Sequence, residues 1–243
     1  MAKIVILKTG STHPSIKQTF GDFEQWFRDR LESGRHAVVV DVTQEEPPGR
    51  PGQWAGVIVT GSPAMVTARE PWSEQAAAWL RTAVEQEVPI LGVCYGHQLL
   101  AHALGGEVGF RTQGRESGTF EIVCTDAVRQ DPIWSNAPVS FPVHLTHAQS
   151  VLKLPQEAVL LAHSQDEPHQ AFRVGSNAWG VQFHPEFTDR VMTAYLETQA
   201  ASLAEEGQDV QQLFRNVRPA PEAVNLIRRF ERYALDRAEQ PGE

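Results

Sequence analysis

Short apolar runs and amphipathic stretches alternate along the first hundred residues. "KIVIL" (Lys3–Leu7), "HAVVVDV" (His36–Val42), "AGVIVT" (Ala55–Thr60) and "PILGV" (Pro89–Val93) each read as a strand. Between the first two, Phe20, Phe23, Phe27 and Leu31 fall at helical spacing, which predicts one helix with an apolar face, stopped by Gly34. "EEPPGRPG" is a loop, and residues 73–86 and the stretch after Val93 read as helices. Strands apolar on both faces and alternating with helices predict a parallel sheet covered on both sides. Ligands on such sheets bind beyond the carboxyl ends of the strands. Cys94 and the triplet Gly61-Ser62-Pro63 both stand at such ends.

The middle of the chain, about 118–183, changes character. "TFEIVC", "VSFPVHL", "AVLLAH", "QAFRV" and "AWGVQF" are closely spaced strand candidates. From Thr188 the pattern turns helical, and Ala223, Ile227, Phe230 and Ala234 share a face. The expected division is a domain over 1–205 and a helical extension over 206–243 that packs on it. No internal repeat or low-complexity segment interrupts it.

Composition narrows the class. Of 243 residues, 41% are hydrophobic and 21% charged, as in an ordinary globular protein. No apolar run is long enough to span a membrane. A net charge of −9 and a pI near 5.5 argue against nucleic acid and anionic membranes as main partners. "MAKIVILKTG" reads as a first strand and not as a signal peptide. Two cysteines, Cys94 and Cys124, make no disulfide framework, which favours a reducing cytoplasm.

One of those cysteines sits in "GVCYGH", a G-x-C-x-G turn between a strand and a helix. That is the layout of a nucleophile elbow. Gly92 and Gly96 leave room for a tight approach, and a helix N-terminus favours negative charge on sulfur. Taken alone, Cys94 also reads as a small buried hydrophobe. A thiol nucleophile needs a base and the base an orienter. "GVQFHPEF" (Gly180–Phe187) supplies both: Pro185 disfavours helical backbone at His184, and in extended chain His184 and Glu186 share a side. Alone, this segment also reads as a surface turn with a satisfied histidine.

With "GVCYGHQLLAHALGG" and "GVQFHPEF" in this order, the chain resembles the class I (triad) glutamine amidotransferases. Within them it is most similar to the glutaminase domain of GMP synthase and its free-standing relatives. The resemblance implies a flavodoxin-like α/β fold, with a mostly parallel central sheet flanked by helices and a helical C-terminal extension. It implies Cys94 as nucleophile on the glutamine side-chain amide, His184 as base and Glu186 as orienter. Glutamate and ammonia are released through a γ-glutamyl thioester. It places the oxyanion donors on the backbone of Tyr95 and of the loop holding Gly61 and Ser62. Ser62 replaces a glycine there, which makes a positive φ harder to reach and predicts a loop resting in a different state. Substrate contacts carry over to Gln98, Glu116, Gly118 and Thr119, and "THAQS" (Thr146–Ser150) flanks the site.

No cofactor or metal is implied. His144, His147, His163 and His169 read as structural or solvent-facing, and Cys124, Trp54, Trp72 and Trp79 as core or anchor residues. No P-loop or "SGGVDS"-like segment occurs, so any ammonia acceptor belongs to a separate synthase subunit or does not exist. Two rivals stand beside the glutaminase. One is a γ-glutamyl peptidase or hydrolase using the same triad. The other is a non-catalytic regulatory module, which the presence of all three triad residues disfavours. Arg111 and Arg115 flank "ESGT" and read as surface arginines. A cation gripping a second carboxylate is therefore not expected, nor is a preference for γ-glutamyl dipeptides.

Overall fold

The computed structural model describes residues 3–239. From the N-terminus run β1 (Ile4–Lys8), α1 (Pro14–Phe20), α2 (Phe23–Arg30), β2 (Val38–Asp41), β3 (Gly56–Val59), α3 (Pro71–Glu85), β4 (Ile90–Val93) and α4 (Tyr95–Ala103). The middle holds β5 (Glu107–Phe110), β6 (Glu116–Cys124), β7 (Ser140–His147), β8 (Gln149–Lys153), β9 (Val159–His163), β10 (Ala171–Val174) and β11 (Ala178–Val181). The chain closes with α5 (Asp189–Glu205), α6 (Val210–Asn216) and α7 (Pro221–Glu239).

Nine strands form one sheet in the order β2-β1-β3-β4-β11-β10-β9-β6-β7. The first five are parallel to their neighbours, which is the doubly wound order 2-1-3-4-5 of flavodoxin-like sheets. The remaining pairs are antiparallel. β5 and β8 pair separately as a two-stranded ribbon, which the apolar pattern does not reveal.

Alternation within β1 shows why its sequence is apolar throughout. Ile4 and Ile6 enter one core with Phe27, Leu226 and Phe230, while Val5 and Leu7 enter the other with Leu80 and Leu99. Each such large side chain, fully buried, contributes about 1.5–3 kcal/mol relative to exposure. The face of α7 read from the sequence is the buried one: Ala223, Ile227, Phe230 and Ala234 all belong to the core. α7 also reaches α2 through buried Glu231, whose carboxylate accepts the N–H groups of Glu32 and Ser33, both at 2.7 Å.

The single helix expected through Phe20 and Leu31 is two helices. Gly21 adopts φ 85°, and Asp22 caps α2 by accepting from Phe23 N–H. The Asp22 carboxylate also accepts from Thr12 N–H (2.9 Å) and Lys8 (2.8 Å). The break lets the chain after β1 fold back on the sheet end. Nor is Gly34 the stop, because α2 ends at Arg30. A Cβ at Gly34 would lie 1.9 Å from the Arg28 carbonyl, so its smallness serves that close approach.

Candidate active site

β4 delivers Cys94 to the carboxyl edge of the sheet, at the N-cap of α4. Its backbone has φ 51° and ψ −100°, a conformation that costs a non-glycine residue about 1–3 kcal/mol. The neighbouring glycines make that turn possible by proximity. A Cβ on Gly92 would stand 2.4 Å from the Gly96 carbonyl oxygen, and one on Gly96 would stand 2.5 Å from that of Val59. β11 secures the turn from the other side, with Cys94 N–H donating to Val181 C=O at 2.9 Å. Cys94 Sγ lies 3.8 Å from the Thr146 carbonyl at the floor of a cleft.

After β11 the chain turns, Phe187 N–H donating to His184 C=O at 3.3 Å. This turn brings together the two side chains that the H-P-E spacing puts on one side. His184 Nδ1 is 2.7 Å from Glu186 Oε1, and both residues are buried. A carboxylate only accepts, so Nδ1 carries a proton and Nε2 is left for the sulfur. Phe187 stacks on the imidazole with centroids 4.1 Å apart, and Tyr195 stacks on Phe187 at 4.9 Å. A Cβ on Gly61 would come 2.7 Å from His184 Cε1, so the loop after β3 can ride against the ring.

Burial works against charge on His184. The Glu186 carboxylate and negative charge on Cys94 more than offset it and raise the imidazole to about 10. A raised pKa gives stability that is complete below the unfolded value near 6.5 and lost as pH approaches 10. Thermal melts should therefore show wild type losing stability across that window relative to His184→Gln. Parallel pH profiles for the two proteins would refute the charged imidazole.

The cleft measures about 470 Å³. Gln98 lines it, as expected from its place one turn into α4. Its amide nitrogen donates to Gln149 C=O (2.7 Å) and Gln182 Oε1 (3.0 Å), which leaves its carbonyl oxygen for a ligand. Tyr95 opens α4, and its hydroxyl pairs with Ser73 at 2.6 Å. Ser62 also lines the cleft. Neither Ser62 nor Gly61 has a positive φ, and the Ser62 hydroxyl accepts from Ala64 N–H at 3.1 Å. The loop thus rests in an unstrained form that occupies one of its own donors. Thr146, His147, Ala148 and Gln149 of the "THAQS" segment form a further wall.

Glu116, Gly118 and Thr119 do not line the cleft. Cross-strand contacts with β7 take up their side chains: Glu116 Oε2 holds His147 Nε2 at 2.8 Å, and Thr119 Oγ1 holds His144 Nδ1 at 3.0 Å. Gly118 lies against Phe120 and Leu213. The direct contacts expected of these three are therefore corrected, and Glu116 reaches the cleft through His147. Glu116, His147 and Glu167 cluster closely enough to suggest a cation site. Arg111 already supplies that charge, 2.7 Å from Glu167 and 3.4 Å from Glu116. Arg115, read from sequence as a surface residue, instead lines the cleft with its side chain 31% exposed.

Sequence reasoning missed Ser11, Thr12, His13, Tyr195 and Gln199, which also line the cleft. The first three follow β1, where the rule that selects Cys94 and Gly61 applies equally. Tyr195 and Gln199 come from α5, and no local signal marks them.

The family model for class-I glutamine amidotransferases matches residues 20–202. GMP synthase [glutamine-hydrolyzing] of Thermomicrobium roseum is 38% identical over 131 residues, which are 54% of this chain and 23% of that protein. This chain thus spans about a quarter of such relatives. Gamma-glutamyl peptidase 5 of Arabidopsis thaliana is 29% identical over 177 residues, 72% of this chain and 67% of that protein. A solved glutamine amidotransferase from Thermotoga maritima shares the fold, with a TM-score of 0.73 at 23% identity over 99% of this chain and all of that one. With the family match running from the end of α1 into α5, across both Cys94 and His184, the chain belongs to the class-I glutamine amidotransferases.

Proposed function

We propose that this chain hydrolyses the γ-amide of a glutamyl group, as in glutamine to glutamate and ammonia, through a thioester on Cys94. The observation that carries this reading is a cysteine on a strained turn at a helix N-terminus, coupled in charge to an imidazole whose far nitrogen rests on a buried carboxylate. His184 takes the thiol proton, and the charges that raise this imidazole favour keeping the proton there. The sulfur attacks the amide carbon, and the oxyanion is met by Tyr95 N–H and by backbone donors of the Gly61–Ser62 loop. His184 passes its proton to the departing nitrogen, and the C–N bond breaks. Water, deprotonated by His184, then attacks the thioester and releases the γ-carboxylate. Glu186 holds the ring's tautomer throughout. These steps need no cofactor or metal.

Relatives named as glutamine-hydrolyzing GMP synthases support glutamine as the parent substrate and a separate ammonia-accepting synthase subunit as partner. A cytoplasmic enzyme fits the free cysteines, and no helix among the described residues is long and apolar enough to cross a membrane. A second reading, cleavage of γ-glutamyl peptides, has its own support in Arg115 at the cleft and in the peptidase relative.

Labelling tests the nucleophile. A glutamine-mimicking diazoketone should alkylate Cys94 and spare Cys124, a half-buried thiol pushed up to about 11 chiefly by burial. Peptide mapping that finds the label on Cys124, or on neither, removes the basis of the assignment.

A further inference from the structure

The cleft is lopsided in charge. Among the described residues its lining contains no Asp or Glu and a single Lys or Arg, namely Arg115. The raised His184 adds a second positive group at the reacting end. A zwitterion such as free glutamine meets no carboxylate there to hold its ammonium. A ligand with excess carboxylate meets two positive groups.

Arg115 is built into position. Its backbone N–H donates to Glu206 Oε2 (3.3 Å), and its C=O accepts from Gln208 Nε2 (2.8 Å), both from the corner between α5 and α6. Its own Nε is buried without a hydrogen-bond partner and stands 3.8 Å from Glu206 Oε1, too far for a strong pair. The guanidinium is therefore held in place but not consumed. His13 beside it does not compete, because burial and the Arg115 charge both lower its pKa.

Its place along the cleft indicates which part of a ligand it meets. Arg115 acts on His13, whose ring meets Tyr195 edge-on at 5.5 Å, and the Tyr195–Phe187–His184 stack leads back to the base. His184 is the group that protonates the leaving nitrogen. Arg115 thus stands along the path taken by the amine half, while Gln98 and Gln149 form a separate wall.

We infer that Arg115 binds a carboxylate on the amine side of the scissile bond, so that the preferred substrates are γ-glutamyl amides of amino acids. A planar guanidinium pairs with a carboxylate through two parallel hydrogen bonds, which gives direction as well as charge. This inference rests on the Cys94 thioester reading and names its substrate class. It also reverses the sequence-based expectation that dipeptides gain nothing over glutamine.

The test compares kcat/KM of the full chain for a γ-glutamyl dipeptide, for the same dipeptide with its C-terminus as carboxamide, and for glutamine. The free acid should exceed the carboxamide and glutamine by about tenfold or more, equivalent to about 1.4 kcal/mol. Arg115→Gln should bring the acid-to-carboxamide ratio close to one, and Arg115→Lys should retain part of it. A wild-type ratio within about twofold, or an undiminished ratio in Arg115→Gln, overturns the assignment. If none of the three turns over although the diazoketone labels Cys94, the substrate class is wrong and the nucleophile stands. If labelling also fails, the thioester reading falls and this inference with it.

Discussion

Cys94→Ala abolishes turnover and leaves the fold in place. The expected loss in kcat/KM is about 10⁴-fold or more, because no other nucleophile stands in the cleft to form the acyl intermediate. The substitution keeps the Cβ, so the elbow and its packing against β11 survive, and the melting temperature should change little. It also removes one of the negative charges that raise His184, leaving Glu186 as the main support of the imidazolium. Steady-state kinetics and intact-protein mass spectra during turnover check this together. Wild type should show a transient glutamyl adduct, and the variant none. Activity within tenfold of wild type would mean that sulfur is not the nucleophile.

Gly96→Ala is expected to do the greatest structural harm of any single methyl addition near the site. The new Cβ would fall 2.5 Å from the Val59 carbonyl oxygen and 2.8 Å from the Val59 Cβ. Val59 belongs to β3 inside the sheet, so neither atom can yield, and α4 must slide away from the strand. Overpacking of this kind costs about 3 kcal/mol. For a domain of this size that lowers the melting temperature by roughly 6–12 °C. Activity falls as well, because α4 carries Cys94 at its N-cap. Gly105→Ala provides the contrast. Its Cβ would meet nothing within 4 Å, and only its φ of +85° opposes a side chain. That change should cost about 1 kcal/mol. If Gly96→Ala melts within a degree or two of wild type, the elbow is not packed as described.

What could be read from the chain without coordinates follows a physical dividing line. The elbow and the H-P-E turn were legible because their chemistry is local. Glycines at 92 and 96 mark a backbone approach, and His184 and Glu186 are close enough in sequence to meet by a turn. The parallel half of the sheet was legible because strands buried on both faces must be apolar throughout. Helix continuity from Phe20 to Leu31 misled, since apolar spacing does not register Gly21 and Asp22 ending one helix and capping the next. The β5–β8 ribbon was invisible because it is short, contains Gly109 and leaves Phe110 and Leu152 exposed. Glu116 and Thr119 were misplaced because strand position does not say whether a side chain ends on a ligand or on the neighbouring strand. Arg115 was misjudged for a related reason. Its surroundings come from Glu206 and Gln208, some ninety residues later, and no local pattern connects them.

The strand order carries a consequence for how the molecule comes into being. β4, which ends at the nucleophile, lies beside β11, which leads to the base, and their registry pairs Ile90 with Ala178 through to Val93 with Val181. Nearly all of the sheet is synthesised before β11, yet β11 occupies its middle, between β4 and β10. A nascent chain can form β1 through β4 from near-neighbour contacts, but the gap beside β4 closes only when a segment about ninety residues downstream arrives. Contacts of such long sequence separation form slowly. Until that strand docks, the thiol has no partner to accept its proton. A half-made chain is therefore chemically quiet, and the appearance of activity during refolding would time the final closure of the sheet.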